Sequence, residues 1–507
     1  MREQPSSSLP QQSSSRADLS PPPRGASLRT VFSTVAGLIV AIGCDDKVSE
    51  SKEQAPCRDA TQRCTGTVML PLDRSGRHPG KIQVAYLFVP GRGPDVNRTV
   101  AYLEGGPGYA GIESASLIEN ALGSVLDDAN LLIMDYRGVG QSAPLLCPDL
   151  PDPSAQNTEG RPTSPQIGAC IRELTHERLL HFGTAAAMDD LEDVREALNL
   201  GSLDLFGASY GVFAAEVFAA RHPESVRSVT FHAGPLASDR SQAWPWMTRF
   251  AQLPMQALDS VCARFDCDNR SRLPSQLWRE AVERIRADDV PQLTLADAIT
   301  LHRYATSGPE IVSFARAISA LVLDDAPADL AALAEALQPQ ADGEEEPRET
   351  KTGLNPSNSN ALFLHVLCND LPVPFELSGK PSERAEQLEA ARSALPANTF
   401  DPFTKDEWNK LQPPLAELCV HWSARVAIAP PTEPPSVSGP VLFVYPELDV
   451  TQPDRQFLTA SYPGAKILEI QLGSHGGVFE STCARAELRR FLTSGQILES
   501  SCLPDGE

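Results

Sequence analysis

Residues 204–211 read Asp204-Leu205-Phe206-Gly207-Ala208-Ser209-Tyr210-Gly211, a G-x-S-x-G pentapeptide that follows an apolar run and precedes a helical one. This order predicts a strand, a tight turn and a helix, the arrangement of a nucleophile elbow. The turn forces the serine into a strained conformation and presents its hydroxyl at the sheet edge, while the glycines let strand and helix approach closely. The pentapeptide recurs by chance in a chain of 507 residues, so its neighbours decide the reading.

Those neighbours repeat one pattern, an apolar strand followed by a chemically distinctive loop. Val100-Ala101-Tyr102-Leu103 runs into Glu104-Gly105-Gly106-Pro107-Gly108, a glycine-rich loop suited to supplying a backbone N–H to an oxyanion. The expected donors are Gly106 and Tyr210, the residue after the nucleophile. The run Leu131-Leu132-Ile133-Met134 breaks into Asp135-Tyr136-Arg137-Gly138-Val139-Gly140-Gln141-Ser142. Far downstream, Val441-Leu442-Phe443-Val444-Tyr445 precedes Pro446-Glu447-Leu448-Asp449, and Ile467-Leu468-Glu469-Ile470-Gln471-Leu472 precedes Gly473-Ser474-His475. Asp449 is the candidate orienting acid and His475 the candidate base. With Ser209 they give the chain order Ser, Asp, His, each just past its own strand. His232, after the strand expected at 225–233, is read as a structural neighbour of the elbow. His222 reads as a helix-ending residue, and His365 and His421 as packing residues.

Taken together these motifs resemble the proline iminopeptidase and tripeptidyl aminopeptidase branch of the α/β-hydrolases, including its secreted bacterial members. The resemblance runs from about Cys57 to the C-terminus and includes Thr184-Ala185-Ala186-Ala187-Met188-Asp189-Asp190-Leu191 with Arg195. Departures fall at Tyr109, Ala110, Tyr136, Ala208 and Ser474, and none removes a catalytic group. The resemblance implies an α/β-hydrolase fold with a mostly parallel sheet and a large, mainly helical cap inserted before the strand carrying the catalytic Asp. It also implies acidic cap residues that hold a substrate's protonated amine. Leu367-Cys368-Asn369-Asp370 is similar to the family's Cys-x-Glu or Cys-x-Asp element, which makes Asp370 the candidate anchor. The plainer alternative is a solvated or helix-capping aspartate before Pro372.

The formal net charge of −23 argues against nucleic acid as a partner. Residues 1–30, rich in Ser, Pro and Gln, lack the apolar surface to fold, and Arg24 and Arg29 precede an apolar run over 31–43. That run is short for a membrane span and fits the hydrophobic part of a signal segment. It ends Ala41-Ile42-Gly43-Cys44, which resembles a bacterial lipobox with Cys44 lipidated; simple cleavage and an uncleaved anchor are the alternatives. The chain holds eleven cysteines, so a lipid on Cys44 leaves ten to pair. Sequence neighbours would join Cys57–Cys64, Cys147–Cys170, Cys262–Cys267, Cys368–Cys419 and Cys483–Cys502, although spacing alone does not fix connectivity. A zinc site is disfavoured, because no C-x-x-C stands with histidines at ligand spacing.

The expected organisation is a signal segment at 1–43, a tether at 44–66, a first part of the hydrolase core at 67–236, a cap at 237–438 and the rest of the core at 439–507. Helices are expected at 189–200, 209–221, 295–304 and 312–323, and an acidic loop at 342–351. The expected activity is that of an exported serine peptidase of aminopeptidase type, cleaving short N-terminal units from peptides through an acyl-enzyme. An esterase or amidase on small acyl substrates, and a non-catalytic lipid-anchored binding protein, are the alternatives. No metal or organic cofactor is implied, and the oligomeric state is left open.

Overall fold

The computed structural model describes residues 62–505 apart from 95, 153–160, 240–245, 305–307, 338–357, 413 and 452. Residues 1–43, expected as a signal segment, Cys44, Cys57 with its expected bridge to Cys64, and the acidic stretch at 342–351 lie outside the described residues.

Nine strands form one sheet: β1 Cys64–Pro71, β2 Lys81–Val89, β3 Arg98–Leu103, β4 Ala129–Met134, β5 Leu203–Ala208, β6 Val226–His232, β7 Val441–Pro446, β8 Lys466–Ile470 and β9 Ser501–Cys502. Their order is β1-β2-β4-β3-β5-β6-β7-β8-β9. β1 and β2 are antiparallel to each other and β2 is antiparallel to β4, while every pair from β4 to β9 is parallel. β1 opens at Cys64, so the sheet begins inside the segment read from sequence as a tether.

Parallel strands covered on both faces read as continuous apolar runs, and successive side chains divide between two cores. Val100, Tyr102, Leu131, Ile133, Phe206 and Leu442 point to one face, where the helix Thr482–Ser494 adds Phe491 and Leu492. Ala101, Leu103, Leu132, Leu205, Val229 and Phe231 point to the other, against Phe213 and Val217 of the helix Tyr210–Arg221. The helix before β5 runs Thr184–Ala197, starting earlier than its apolar spacing predicts because Ala185, Ala187 and Met188 are also buried.

Between β6 and β7 the described residues are helical and irregular, and they divide between two cores. The helices Trp246–Cys262, Pro274–Arg286, Leu295–Tyr304, Gly308–Asp324 and Ala328–Leu337 surround a separate core containing Trp278, Phe314, Phe403 and Trp408. There Trp278 Nε1 donates to His302 Nδ1 (3.0 Å) and His302 Nε2 lies 2.7 Å from Ala251 O, an arrangement that needs a neutral imidazole. Burial correspondingly holds the His302 pKa down to about 4. By contrast, Asn360–Asn369, Pro381–Ser393 and Ala416–His421 pack into the core that also receives the sheet and the helix Tyr210–Arg221. His365 is buried there and accepts from Trp422 Nε1 (3.1 Å). No helix of the described residues is long and apolar enough to cross a membrane.

Among the described residues, disulfides join Cys147–Cys170, Cys262–Cys267, Cys368–Cys419 and Cys483–Cys502, each a pair of sequence neighbours. The last ties β9 to the helix Thr482–Ser494.

Candidate active site

Ser209 sits between β5 and the helix Tyr210–Arg221 with φ 56° and ψ −126°, a backbone conformation that side-chain-bearing residues rarely adopt. The turn closes only because its flanking residues lack a Cβ. A Cβ on Gly207 would lie 2.2 Å from Gly211 O, and one on Gly211 would lie 1.9 Å from Leu103 O. Ser209 N donates to His232 O (2.9 Å), which fixes the elbow to β6.

The structure brings the three candidate residues of the triad into one line. His475 Nε2 lies 3.0 Å from Ser209 Oγ, and His475 Nδ1 lies 3.2 Å from Asp449 Oδ1. Asp449 is buried whereas the His475 side chain is 49% exposed, so the base has one wet edge and one anchored edge. For Asp449, burial disfavours the charge, but the bond to His475 and two from Thr451 outweigh it and hold the carboxyl below its ordinary value. For His475, burial likewise opposes the charge. The hydrogen bond and charge of Asp449, with the charge of Glu480, prevail and raise its pKa above 6.5.

Thr451 and Ser474, which steady this line, carry no sign of that role in the sequence because the turns that place them form only in the fold, whereas His232 is the structural neighbour of the elbow that the sequence suggests. Thr451 Oγ1 lies 2.9 and 3.0 Å from the Asp449 oxygens and 3.1 Å from Ala233 O. Ser474 Oγ donates to Glu480 (2.6 Å) and accepts from Gly476 N (3.1 Å), bracing the turn around His475. His232 is buried and accepts from Val478 N (3.1 Å), which makes it a neutral support of the same turn. Burial and the nearby His475 push its pKa down to about 3.

Tyr210 occupies the first position of its helix, where a backbone N–H has no intrahelical acceptor. The glycine-rich loop approaches from β3, close enough that a Cβ on Gly105 would lie 3.0 Å from Ser209 Cβ. Gly106 has φ +111°. The half-buried Glu104 steadies this loop, accepting from Gly105 N (2.6 Å), Tyr102 Oη (3.3 Å) and Ser114 Oγ. Burial and the charge of Asp135 raise its pKa. The segment between β6 and β7 grips the same loop, with Ser359 N donating to Gly108 O (2.8 Å) and Tyr109 bridging to Asn358.

Asp135 to Ser142, conspicuous in sequence, is a scaffold. Asp135 accepts from Ile112 N and Gln141 N (both 3.0 Å), and Ser142 Oγ accepts from Ala85 N (2.8 Å). The buried Arg137 makes a bidentate pair with Asp190 (2.6 and 2.5 Å) and donates to His181 O (2.7 Å).

Asp370 is completely buried at the C-cap position of the helix Asn360–Asn369, so the helix-end placement of the plainer reading is observed and the solvated aspartate is not. Its Oδ2 accepts from Thr184 N (2.6 Å) and Thr184 Oγ1 (2.5 Å), and Thr184 Oγ1 lies 2.6 Å from Tyr210 Oη. Its Oδ1 has no hydrogen-bond partner among the described residues. Burial pushes its pKa up to about 6, against the pull of the Thr184 bonds.

Asp73, His78 and His181 bring one potential metal ligand each within 4.8 Å. The Asp73 carboxylate already accepts from Ser75 N at one oxygen and from Ser75 Oγ, Arg77 N and His78 N at the other. His181 Nε2 and His78 Nδ1 meet at 3.0 Å, so the group is a hydrogen-bonded clip between the β1–β2 connection and the segment before Thr184.

Residues 99–283 match the family described as alpha/beta hydrolase fold. Serine protease Hip1 of Mycobacterium tuberculosis is 26% identical over 251 residues, 43% of this chain and 48% of that protein. Tripeptidyl aminopeptidase of Streptomyces lividans is 27% identical over 179 residues, 32% of this chain and 33% of that protein. The chain thus spans between a third and a half of the length of these relatives. Among solved structures, proline iminopeptidase of Mycobacterium smegmatis is 14% identical at a TM-score of 0.34, over 84% of this chain and 98% of that one. The strand order and the family match make this an alpha/beta hydrolase fold.

Proposed function

We propose, from the premise of an alpha/beta hydrolase fold, that this chain is an exported serine hydrolase that releases short N-terminal units from peptides. The observation that carries the reading is the line from Ser209 Oγ through His475 to Asp449. In this mechanism His475 Nε2 takes the proton of Ser209 as Oγ attacks a carbonyl carbon, and Asp449 holds the imidazole in the right tautomer and balances its charge. The N–H groups of Gly106 and Tyr210 receive the developing oxyanion, each contributing roughly 3 to 4 kcal/mol. His475 returns the proton to the leaving amine, and water attacks the acyl-enzyme with His475 again as base.

The peptidase assignment draws on the names of the relatives, a serine protease and a tripeptidyl aminopeptidase. The same machinery would serve an esterase or amidase. An intact serine, histidine and aspartate at bonding distance weighs against a non-catalytic binding protein. Asp370 remains our candidate for holding the substrate's ammonium, supported by its unpartnered buried oxygen near the elbow. The disulfides among the described residues support export to an oxidising compartment, with Cys44 as the proposed lipid attachment point at a membrane. The proposed domain plan follows the same frame, with the cap between β6 and β7.

Labelling with a fluorophosphonate probe tests the reading directly. The wild-type protein should be labelled and Ser209→Ala should not, with hydrolysis of chromogenic substrates lost in parallel. A screen of aminoacyl, tripeptidyl and simple ester substrates then separates peptidase from esterase. Equal labelling of the serine variant would remove the triad assignment.

A further inference from the structure

The loops that carry Asp449 and His475 are joined by a residue that the proposed chemistry does not use. Glu447 stands two positions before Asp449, and its N–H donates to Ile470 O (2.9 Å) at the end of β8. Its Oε2 accepts from Leu472 N (2.9 Å), three residues before His475, and Leu448 N donates to Gly473 O (3.0 Å). Two backbone hydrogen bonds and one side-chain carboxylate therefore tie the acid loop to the base loop, and the carboxylate is the one of the three that a substitution can remove.

That carboxylate is itself held from the helical segment between β6 and β7. Arg264 forms a bidentate pair with it, Nη2 to Oε1 at 2.6 Å and Nη1 to Oε2 at 2.9 Å. Arg264 lies inside the short loop closed by Cys262–Cys267, which restricts where its backbone can go. Gly308 N donates to Leu472 O (3.3 Å), and Leu448 and Leu472 are buried in the core shared with Trp278 and Trp408. Leu472 has φ +58°, a costly conformation for a residue with a side chain that persists only while its surroundings impose it. Glu447 and Arg264 are both partly exposed, so without the arginine the carboxylate would turn toward water and release the Leu472 N–H.

We infer that Arg264 is a positioning residue that acts through Glu447 to hold the Asp449 and His475 loops in register, so that the helical segment takes part in aligning the triad. The inference rests on Ser209, Asp449 and His475 being the reacting residues. It assigns a mechanical role to Glu447, whose place in the sequence motif gave it none.

The test uses the full chain and the rate of fluorophosphonate labelling for wild type, Ser209→Ala, Arg264→Ala, Glu447→Gln and the Arg264→Ala/Glu447→Gln double variant. A displaced base slows attack, so Arg264→Ala should lower the labelling rate about tenfold to a hundredfold. On a chromogenic substrate its kcat should fall by a similar factor while KM stays within about twofold, the split expected of a residue acting only in the reacting step. The double variant should be no slower than the worse single one, because both remove one clamp. Arg264→Lys keeps the charge but loses the fork, and should fall between wild type and alanine. Labelling of Arg264→Ala at the wild-type rate, additive losses, or a change in KM alone would overturn the clamp while leaving Ser209 intact. Labelling of Ser209→Ala would overturn the triad and the clamp with it.

Discussion

The hydroxyl of Thr451 lies within 3.0 Å of both oxygens of Asp449, and the Thr451 N–H lies 2.9 Å from Oδ1. Two residues apart in sequence, they form a tight turn in which the threonine fixes the carboxylate that orients His475. Thr451→Val keeps the shape and the N–H bond and removes the hydroxyl. A hydrogen bond to a charged group is worth about 1.5 to 3 kcal/mol, of which part should reach the transition state. The expected result is a fall of about tenfold in kcat with a modestly lowered thermal midpoint; steady-state kinetics and a melting curve check it.

The acid limb of activity should follow His475, which must be neutral to accept the serine proton. Its pKa is raised above 6.5, so kcat/KM should rise with pH through a midpoint above that value. Asp449→Asn removes the charge and the acceptor responsible, so the midpoint should move down while kcat falls by about 10⁴. The stability contributed by the pair has the opposite sense on this side. A raised histidine pKa stabilises the fold fully below 6.5 and is lost as pH rises through the folded value. The depressed Asp449 contributes above 3.8 and is lost as pH falls. Rate profiles beside pH-dependent denaturant titrations should show both trends.

Asp370→Asn separates an amine anchor from a strut. We expect kcat/KM on a peptide with a free amino terminus to fall at least about tenfold, the effect of losing one buried charge partner, with a neutral ester spared. Because burial raises the aspartate pKa to about 6, its folded form binds a proton more tightly than the unfolded chain. Wild type should therefore gain stability as pH falls through 6, and the asparagine variant should lack that gain. Equal loss on both substrates would assign Asp370 to holding Thr184 and Tyr210.

Gly211→Ala places a methyl group 1.9 Å from Leu103 O, backbone against backbone, so β3 and the nucleophile helix must part. A loss of about 3 kcal/mol or more is expected, since overpacking that no side chain can relieve lies at the upper end of such costs. A lowered thermal midpoint with lost labelling would show it, and a wild-type midpoint would contradict this account of the elbow.

Cys368–Cys419 closes a span of 51 positions, the longest among the described disulfides. Constraint of the unfolded chain by a loop of that size is worth about 4 kcal/mol. Cys368→Ser/Cys419→Ser should lose most of that in a denaturant titration, whereas opening the Cys262–Cys267 loop should cost less stability.

The sequence by itself determined the strand-loop units. β5, its glycine-framed serine, and the strands before Asp449 and His475 are legible because a buried parallel strand needs an unbroken apolar run and a strained turn needs glycine. Cysteine neighbours in the described part also paired as their order suggested. Tertiary structure alone decided what no local pattern encodes. It divided the segment between β6 and β7 between two cores, because helical spacing shows that a face is buried but not against what. It drew Asp370 fully inside against Thr184, and it set Glu104 against the glycine-rich loop, Thr451 against Asp449 and Glu447 against Leu472. Glu447 bonds to a loop that the parallel sheet brings alongside, whereas Glu104 and Thr451 bond within turns whose shape the fold sets, and a polar residue in a loop carries no sign of its partner until that geometry exists.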